Sequence, residues 1–338
     1  TNATTAEAEA LAKRLISCID DFNSITNVPL KRICFVGANA YQEGRVAGER
    51  IGALLGGKGK LAFFIPEHSQ VNHVLRMKGC HDFVSERFPA IVNLPGIETM
   101  GDRERALQKA LELIALHPDL SLIYVTDGWS PGFVAEGLAK AGLSRVKIVA
   151  YDTSSENIGL LKRGLISGLI EQNPLIQTHN AIVHLYNACE VSWVPLSQKL
   201  FMDPIYLDSG NYRTYWDDER DARVMRDEEL SLKTRAEPSK SGKRYRFGVI
   251  LPTTTGFFTS LVAGVEAAKE TLAGHNVEIE LVDVFHNQFD FGSAALVNPA
   301  IDSFVKRGFD GFALTVIDAD IMPAINAAVD AGLKVTTF

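Results

Sequence analysis

Short apolar runs alternate with amphipathic stretches along most of the chain, and this alternation limits the possible folds more than any other feature. The runs Arg32–Gly37, Lys60–Ile65, Ala90–Leu94, Leu120–Val125 and Val146–Tyr151 are each five or six residues long and rich in β-formers. They carry little polar alternation, as parallel strands buried on both faces do. Between them, Ala40–Leu55 places Val46, Ala47, Ile51 and Leu54 at helical spacing, and Val71–Phe88, Arg103–His117 and Gly132–Ala141 behave likewise. A second series starts late: strand Tyr245–Leu251, helix Phe257–Leu272, strand Val277–Asp283, helix Ser293–Lys306, strand Gly311–Thr315, helix Asp320–Ala331 and strand Leu333–Phe338. Strand–helix alternation of this kind predicts α/β sheets with right-handed crossovers. A length of 338 residues suits two domains better than one.

The rest of the chain fits around these two series. Residues 1–30 hold one amphipathic helix, about Ala6–Asp20, and the polar opening TNATTAEAEALAKRL shows no secretory signal. No run reaches the roughly 18 apolar residues of a membrane helix. A net charge of −7 argues against a nucleic-acid-binding face. Between the series, WDDERDARVMRDEELS reads as a charged surface helix and LKTRAEPSKSGKR has linker composition. Cys18, Cys34, Cys80 and Cys189 are too widely spaced for a CxxC pair or a metal site and read as small buried hydrophobes.

Motifs for enzyme chemistry are sparse. Gly57-Lys58 is followed by Gly59 where a phosphate loop needs Ser or Thr, and no GxGxxG follows a first strand. His68, His73 and His81 lack metal-ligand spacing, and no GxSxG elbow occurs. Neither a cofactor nor a metal is expected.

What remains are the strand ends. In an open α/β sheet, ligands sit beyond the carboxyl ends of the strands. Leu251 is followed by PTTTGFF, Val125 by Thr126-Asp127-Gly128-Trp129, Tyr151 by Asp152-Thr153, and Leu314 by Thr315. Carboxylates and amides suit vicinal hydroxyls, and aromatic faces cover the C–H surface of a sugar. Each residue also has a plainer reading: Phe257 and Phe258 as core staples at a helix start, Asp127 and Asp152 as helix caps.

These loops resemble the type I periplasmic binding proteins of the ribose- and galactose-binding group, and the related sensor domains of LacI-type repressors. The resemblance rests on YRFGVILPTTTGFFTSLVAGVEAA, RICFVGANAYQEGRVAGERIG, LIYVTDGWSPGFVAEGL, VKIVAYDTSSENIGLLKRGLISGLIEQNP and PIYLDSGN. It implies two Rossmann-like lobes with parallel sheets, hinge-linked, in circularly permuted order, because the lobe that opens the family stands last. Lobe B would be residues 31–173 plus 202–216, lobe A residues 174–199 plus 245–338, with residues 217–244 a linker between the old termini.

The resemblance also implies the contacts. Thr255, Phe257 and Phe258 come from the first loop, one Phe stacking on the ligand, and Thr315 follows the third strand of that lobe. Asn72 and His73 stand near the helix start where the family places an Arg or Asn, and no arginine is read at that point. Asp127 takes an Asn/Asp position, Asp152 and Gln172 match regular polar positions, and Trp129 beside Asp127 offers a second stacking face. The function implied is reversible binding of a small polar ligand, a monosaccharide, in an interlobe cleft by a monomer without catalysis. The partner would be a membrane permease of an ABC importer or a sensor protein, in the periplasm. Two alternatives stand beside it: the effector domain of a cytoplasmic LacI-like regulator, and a Rossmann-like enzyme.

Overall fold

The computed structural model describes residues 30–68, 70–286 and 292–338. The helix expected over Ala6–Asp20, and Cys18 with it, lies outside the described residues. In chain order the first elements are β1 (Phe35–Ala38), α1 (Ala40–Leu54), β2 (Lys58–Ile65), α2 (Val71–Arg87), β3 (Ala90–Glu98), α3 (Arg103–Leu116) and β4 (Leu120–Val125). Then follow α4 (Pro131–Lys140), β5 (Lys147–Tyr151), α5 (Ser155–Lys162), β6 (Gly168–Glu171), α6 (Pro174–Glu190), β7 (Lys199–Met202) and β8 (Ile205–Leu207). The short β9 (Trp216–Asp217), β10 (Ala222–Arg223) and α7 (Asp227–Leu230) lead to β11 (Tyr245–Leu251), α8 (Phe258–Thr271) and β12 (Val277–Asp283). The chain closes with α9 (Ala294–Lys306), β13 (Gly311–Leu314), α10 (Met322–Asp330) and β14 (Lys334–Thr337).

Two compact units form, each around its own sheet. Lobe B comprises Ala38–Gln172 and Asp203–Arg226; lobe A comprises residues 30–37, Asn173–Met202 and Asp227–Phe338. The lobe B sheet runs β3-β2-β4-β5-β6-β8 and the lobe A sheet β12-β11-β13-β14-β1-β7. The first five strands of each are parallel, and β8 closes the lobe B sheet antiparallel to β6. Both faces of the central strands of each sheet are covered, which is why those strands read as unbroken apolar runs. In lobe B, Phe64, Ile123 and Ile148 pack on one face against α3 and α4, while Phe63, Tyr124 and Val149 pack on the other against α1 and α2. In lobe A, Phe247 and Val249 face α6 and α8, and Ile250, Phe312 and Leu314 face α9 and α10. Each such large side chain contributes about 1.5–3 kcal/mol through its burial.

Three features depart from the expected division. Arg32–Gly37 was expected to open the lobe B sheet, yet β1 pairs with β14 in lobe A, Phe35 opposite Thr337. A strand buried on both faces looks the same in either sheet, so its own residues do not select the partner. The strand expected over Ala90–Leu94 continues to Glu98 through Pro95, with a register shift in its pairing to β2 between Leu61 and Phe63. It is the edge strand, where a missing N–H is tolerated.

The segment 217–244 is not a free linker. Its first part is the antiparallel β9–β10 hairpin of lobe B, and of the charged helix expected there only α7, Asp227–Leu230, is helical. Its second part is laid along α6 in lobe A. The Asn180 amide donates to the Leu232 carbonyl (2.9 Å) and accepts from the Thr234 N–H (2.8 Å). Asn187 does the same to Arg235 (3.0 Å) and Glu237 (2.9 Å). Seven helical residues advance about 10 Å, and three extended residues advance about the same, so the two asparagines meet the strap in register. Glu190 completes the row, accepting from the Lys240 and Ser241 N–H groups at 2.5 and 2.7 Å.

Candidate functional site

In each lobe the strand order reverses beside the first strand of the lobe's series, between β2 and β4 in lobe B and between β11 and β13 in lobe A. Loops leaving the carboxyl ends of such strands diverge and open a crevice. In lobe B the crevice is walled by the starts of α1 and α2. These helices touch backbone to backbone: a Cβ at Gly44 would lie 2.1 Å from the Arg76 carbonyl oxygen, and one at Gly79 would lie 2.0 Å from that of Tyr41. That contact brings Glu43 and Arg76, both buried, side by side.

Arg76 is the hub. Its Nε donates to Glu43 Oε2 at 2.8 Å, one Nη to the Thr126 carbonyl at 3.0 Å and the other to Gln172 Oε1. Its guanidinium lies 3.9 Å from the centre of the Tyr151 ring, whose hydroxyl meets that of Tyr124 at 2.7 Å. Burial opposes its charge, but Glu43, Tyr151 and Asp152 hold the proton firmly in place. Burial raises Glu43, with Arg76 pulling it back.

From Gln172 the network passes to Asp152, whose Oδ1 accepts from Gln172 Nε2 at 2.6 Å. Burial pushes the Asp152 carboxyl up to about 7; Arg76 lowers it and Glu171 raises it further. Near neutral pH the Asp152 carboxyl is therefore partly protonated. The capping alternative fails, because Ser154 caps α5 by accepting from the Asn157 N–H. Asp152 sits at φ 66°, a left-handed conformation that Asp and Asn adopt more readily than most residues. Its carboxylate lies against Gly128, where a Cβ would be 2.2 Å from Oδ2. The buried Asn157 ties this corner together, donating to the carbonyls of Gly128, Tyr151 and Asp152 at 2.9–3.1 Å.

The other expected residues divide by role. His73 is buried, with Nδ1 2.9 Å from the Thr126 carbonyl, and burial and then Arg76 push it down to about 3, so it is neutral. Trp129 stands edge-on to His73 at 5.7 Å and is 39% exposed, a usable apolar face. Asp127 does not cap the next helix: the cap position of α4 is Ser130, which makes no side-chain cap bond, and the Asp127 carboxylate accepts within its own loop, from the N–H groups of Trp129 and Ser130 and from the Ser130 hydroxyl. Asn72 is exposed and stands outside the network. In lobe A, Thr255 is exposed, and Phe257 and Phe258 are half-buried against the core and T-shaped to each other at 5.4 Å. The Thr315 hydroxyl is buried with no hydrogen-bond partner among the described residues.

Sequence reasoning missed Arg76, Glu43 and Asn157. The available signal was a charged residue on the inward stripe of an amphipathic helix: Arg76 falls among Val74, Leu75, Cys80 and Val84.

Residues 6–190 match the model of a known family, the periplasmic binding protein domain. Among solved structures, the arabinose-binding protein AraP of Geobacillus stearothermophilus is 22% identical, with a TM-score of 0.51 over 55% of this chain and 67% of that one. A solute-binding protein of Burkholderia graminis, solved with D-arabinose, is 22% identical, with a TM-score of 0.51 over 55% of this chain and 65% of its own. A sugar-binding protein of a Bacillus halodurans sugar ABC transporter is 20% identical, with a TM-score of 0.53 over 62% and 82%. The chain thus spans about two thirds of the length of the arabinose-binding structures. At these identities the likeness is one of fold, and it agrees with parallel sheets of identical strand order in both lobes. The family match covers more than half of the 338 residues, including all of β2–β6 and the Arg76–Gln172–Asp152 network; the chain belongs to the periplasmic binding protein domain family.

Proposed function

We propose that the protein binds a monosaccharide reversibly at the carboxyl ends of its strands and releases it unchanged. The observation that carries this reading is the Glu43–Arg76–Gln172–Asp152 network. It holds the Asp152 carboxyl, the Gln172 amide and the Arg76 guanidinium together, with the carboxyl against Gly128, the residue before the partly exposed Trp129. Sugar hydroxyls both donate and accept, so they suit such a mixed array, and charge-assisted bonds of this kind contribute about 1.5–3 kcal/mol each. Asp152, Gln172, His73 and Trp129 are the proposed contacts in lobe B, joined by Arg76; Asp127 supports them by fixing the Trp129 loop. In lobe A the proposed contacts are Thr255, Phe257, Phe258 and Thr315, supported by the unpartnered Thr315 hydroxyl. The sugars carried by the structural neighbours support the ligand class.

Family membership supports a place outside the cytoplasm, handing the sugar to an ABC importer or a membrane sensor. The permuted order is likewise proposed; the parallel pairing of β14 with β1 supports it. A thermal-shift screen against pentoses, hexoses and their alcohols tests the function. A ligand at 100 times its Kd stabilises the fold by about 2.7 kcal/mol. A panel that shifts nothing, or conversion of a bound sugar by the purified protein, overturns the reading.

A further inference from the structure

We infer that the lobe B site takes an uncharged sugar and gives up a proton from Asp152 as the sugar binds. This rests on the sugar-binding reading above and adds the charge bookkeeping of the site. Three carboxylates, Glu43 from α1, Asp152 after β5 and Glu171 at the end of β6, crowd one guanidinium, that of Arg76 from α2. Two of the three are compensated. Glu43 Oε2 holds Arg76 Nε directly at 2.8 Å, and Glu171 Oε2 accepts the Thr153 hydroxyl at 2.5 Å and its N–H at 3.3 Å. Asp152 receives only a neutral amide N–H, on Oδ1 from Gln172, and reaches Arg76 through that amide. Its Oδ2 lies against Gly128 with no donor among the described residues. From the neighbouring loop Asp127 is turned onto Ser130, and His73 is neutral. Nothing else on α1, α2, β6 or the 126–130 loop neutralises an ionised Asp152.

The empty site therefore keeps a proton on Asp152 up to about pH 7. A sugar hydroxyl donating to Oδ2 supplies the missing donor and favours the ionised form. In that exchange the acid O–H bond breaks, the proton passes to bulk water, and the hydroxyl hydrogen bonds to the carboxylate; the sugar is unchanged. An acid sugar brings a fourth carboxylate into the cluster and is excluded.

Titration calorimetry of a sugar found in the screen, in two buffers of different ionisation enthalpy, counts the proton. About half a proton should leave at pH 7, nearly one at pH 6 and almost none at pH 8.5, and Kd should weaken about tenfold from pH 8 to pH 6. Asp152→Asn should bind more weakly, release no proton and lose the pH dependence. The corresponding uronic acid should not bind. Binding with no proton released at pH 6, or tight binding of the uronate, overturns this inference while leaving the sugar reading in place. Failure of every sugar to bind overturns both.

Discussion

Removing the guanidinium of Arg76 strands Glu43, a carboxylate with no exposed surface. Breaking one side of a buried pair costs about 3–5 kcal/mol, because the remaining charge is left unpaired. Arg76→Met should lose that much in urea unfolding at pH 7, and Glu43→Gln/Arg76→Met should recover much of it. If the double variant is no more stable than the single one, the pair is not what holds α2 to α1. Asp152 calls for a gentler probe. Alanine at φ 66° adds roughly 1–2 kcal/mol of left-handed backbone strain, whereas asparagine tolerates that backbone. Asp152→Asn should therefore isolate the lost charge, and we expect at least about tenfold weaker sugar binding, about 1.4 kcal/mol, with the fold intact. Ser154→Ala should do the opposite. The cap belongs to Ser154, so that change should lower stability by about 1 kcal/mol and leave Kd alone.

At the scale of elements, the strap on α6 is held by backbone-directed amides, so its sequence matters less than the two asparagines beneath it. Asn187→Ala removes the bonds to Arg235 and Glu237 and leaves their backbone groups to find water. Hydrogen exchange should show residues 235–241 opening more easily, by about 1–3 kcal/mol, with β11 protected as before. Unchanged exchange would mean that Asn180 and Glu190 anchor the strap without Asn187. This element also shows where sequence reading stops. Leu120–Val125 and Tyr245–Leu251 were legible to the residue, because a strand buried on two faces leaves a continuous apolar run, and Val277–Asp283 was legible as an edge strand whose Val277, Ile279 and Leu281 alternate with acids. The strap was not, because its composition is that of a linker and its anchors are polar residues on a helix whose pattern says nothing about what covers it. The site was half legible for a related reason. Asp152 and Gln172 follow strands and stand out, whereas Arg76 and Glu43 are set by the glycine contact between α1 and α2, a long-range pairing.

On the scale of the whole molecule, acids buried in lobe B oppose stability as pH rises. The folded chain holds a proton on Asp152 up to about pH 7, while the unfolded chain releases it near pH 4. The folded state thus binds more protons between those values, and stability falls as pH rises through that window. Burial raises Glu43 as well, in the same direction. Asp82 goes the other way: burial alone would raise it, but hydrogen bonds from His81, Lys78 and Tyr41 bring it to about 2. Its contribution is present above about pH 4 and is lost as pH falls toward 2. His73, pushed down to about 3, and His184, to about 4, act against Asp152 in its window, because the unfolded chain takes up their protons as pH falls through about 6.5. The Asp152 contribution is therefore read as a difference: the melting point of the ligand-free wild type, relative to that of Asp152→Asn, should be higher at pH 6 than at pH 8. Saturating sugar should remove the Asp152 contribution to this trend, since the bound form keeps Asp152 ionised. The melting shift produced by a fixed excess of sugar should be larger at pH 8 than at pH 6, by the equivalent of about tenfold in Kd or about 1.4 kcal/mol. Melting curves with and without sugar at both pH values decide it: an equal shift at the two, in a protein that demonstrably binds, would show that the ligand's hydroxyls do not engage the ionised Asp152.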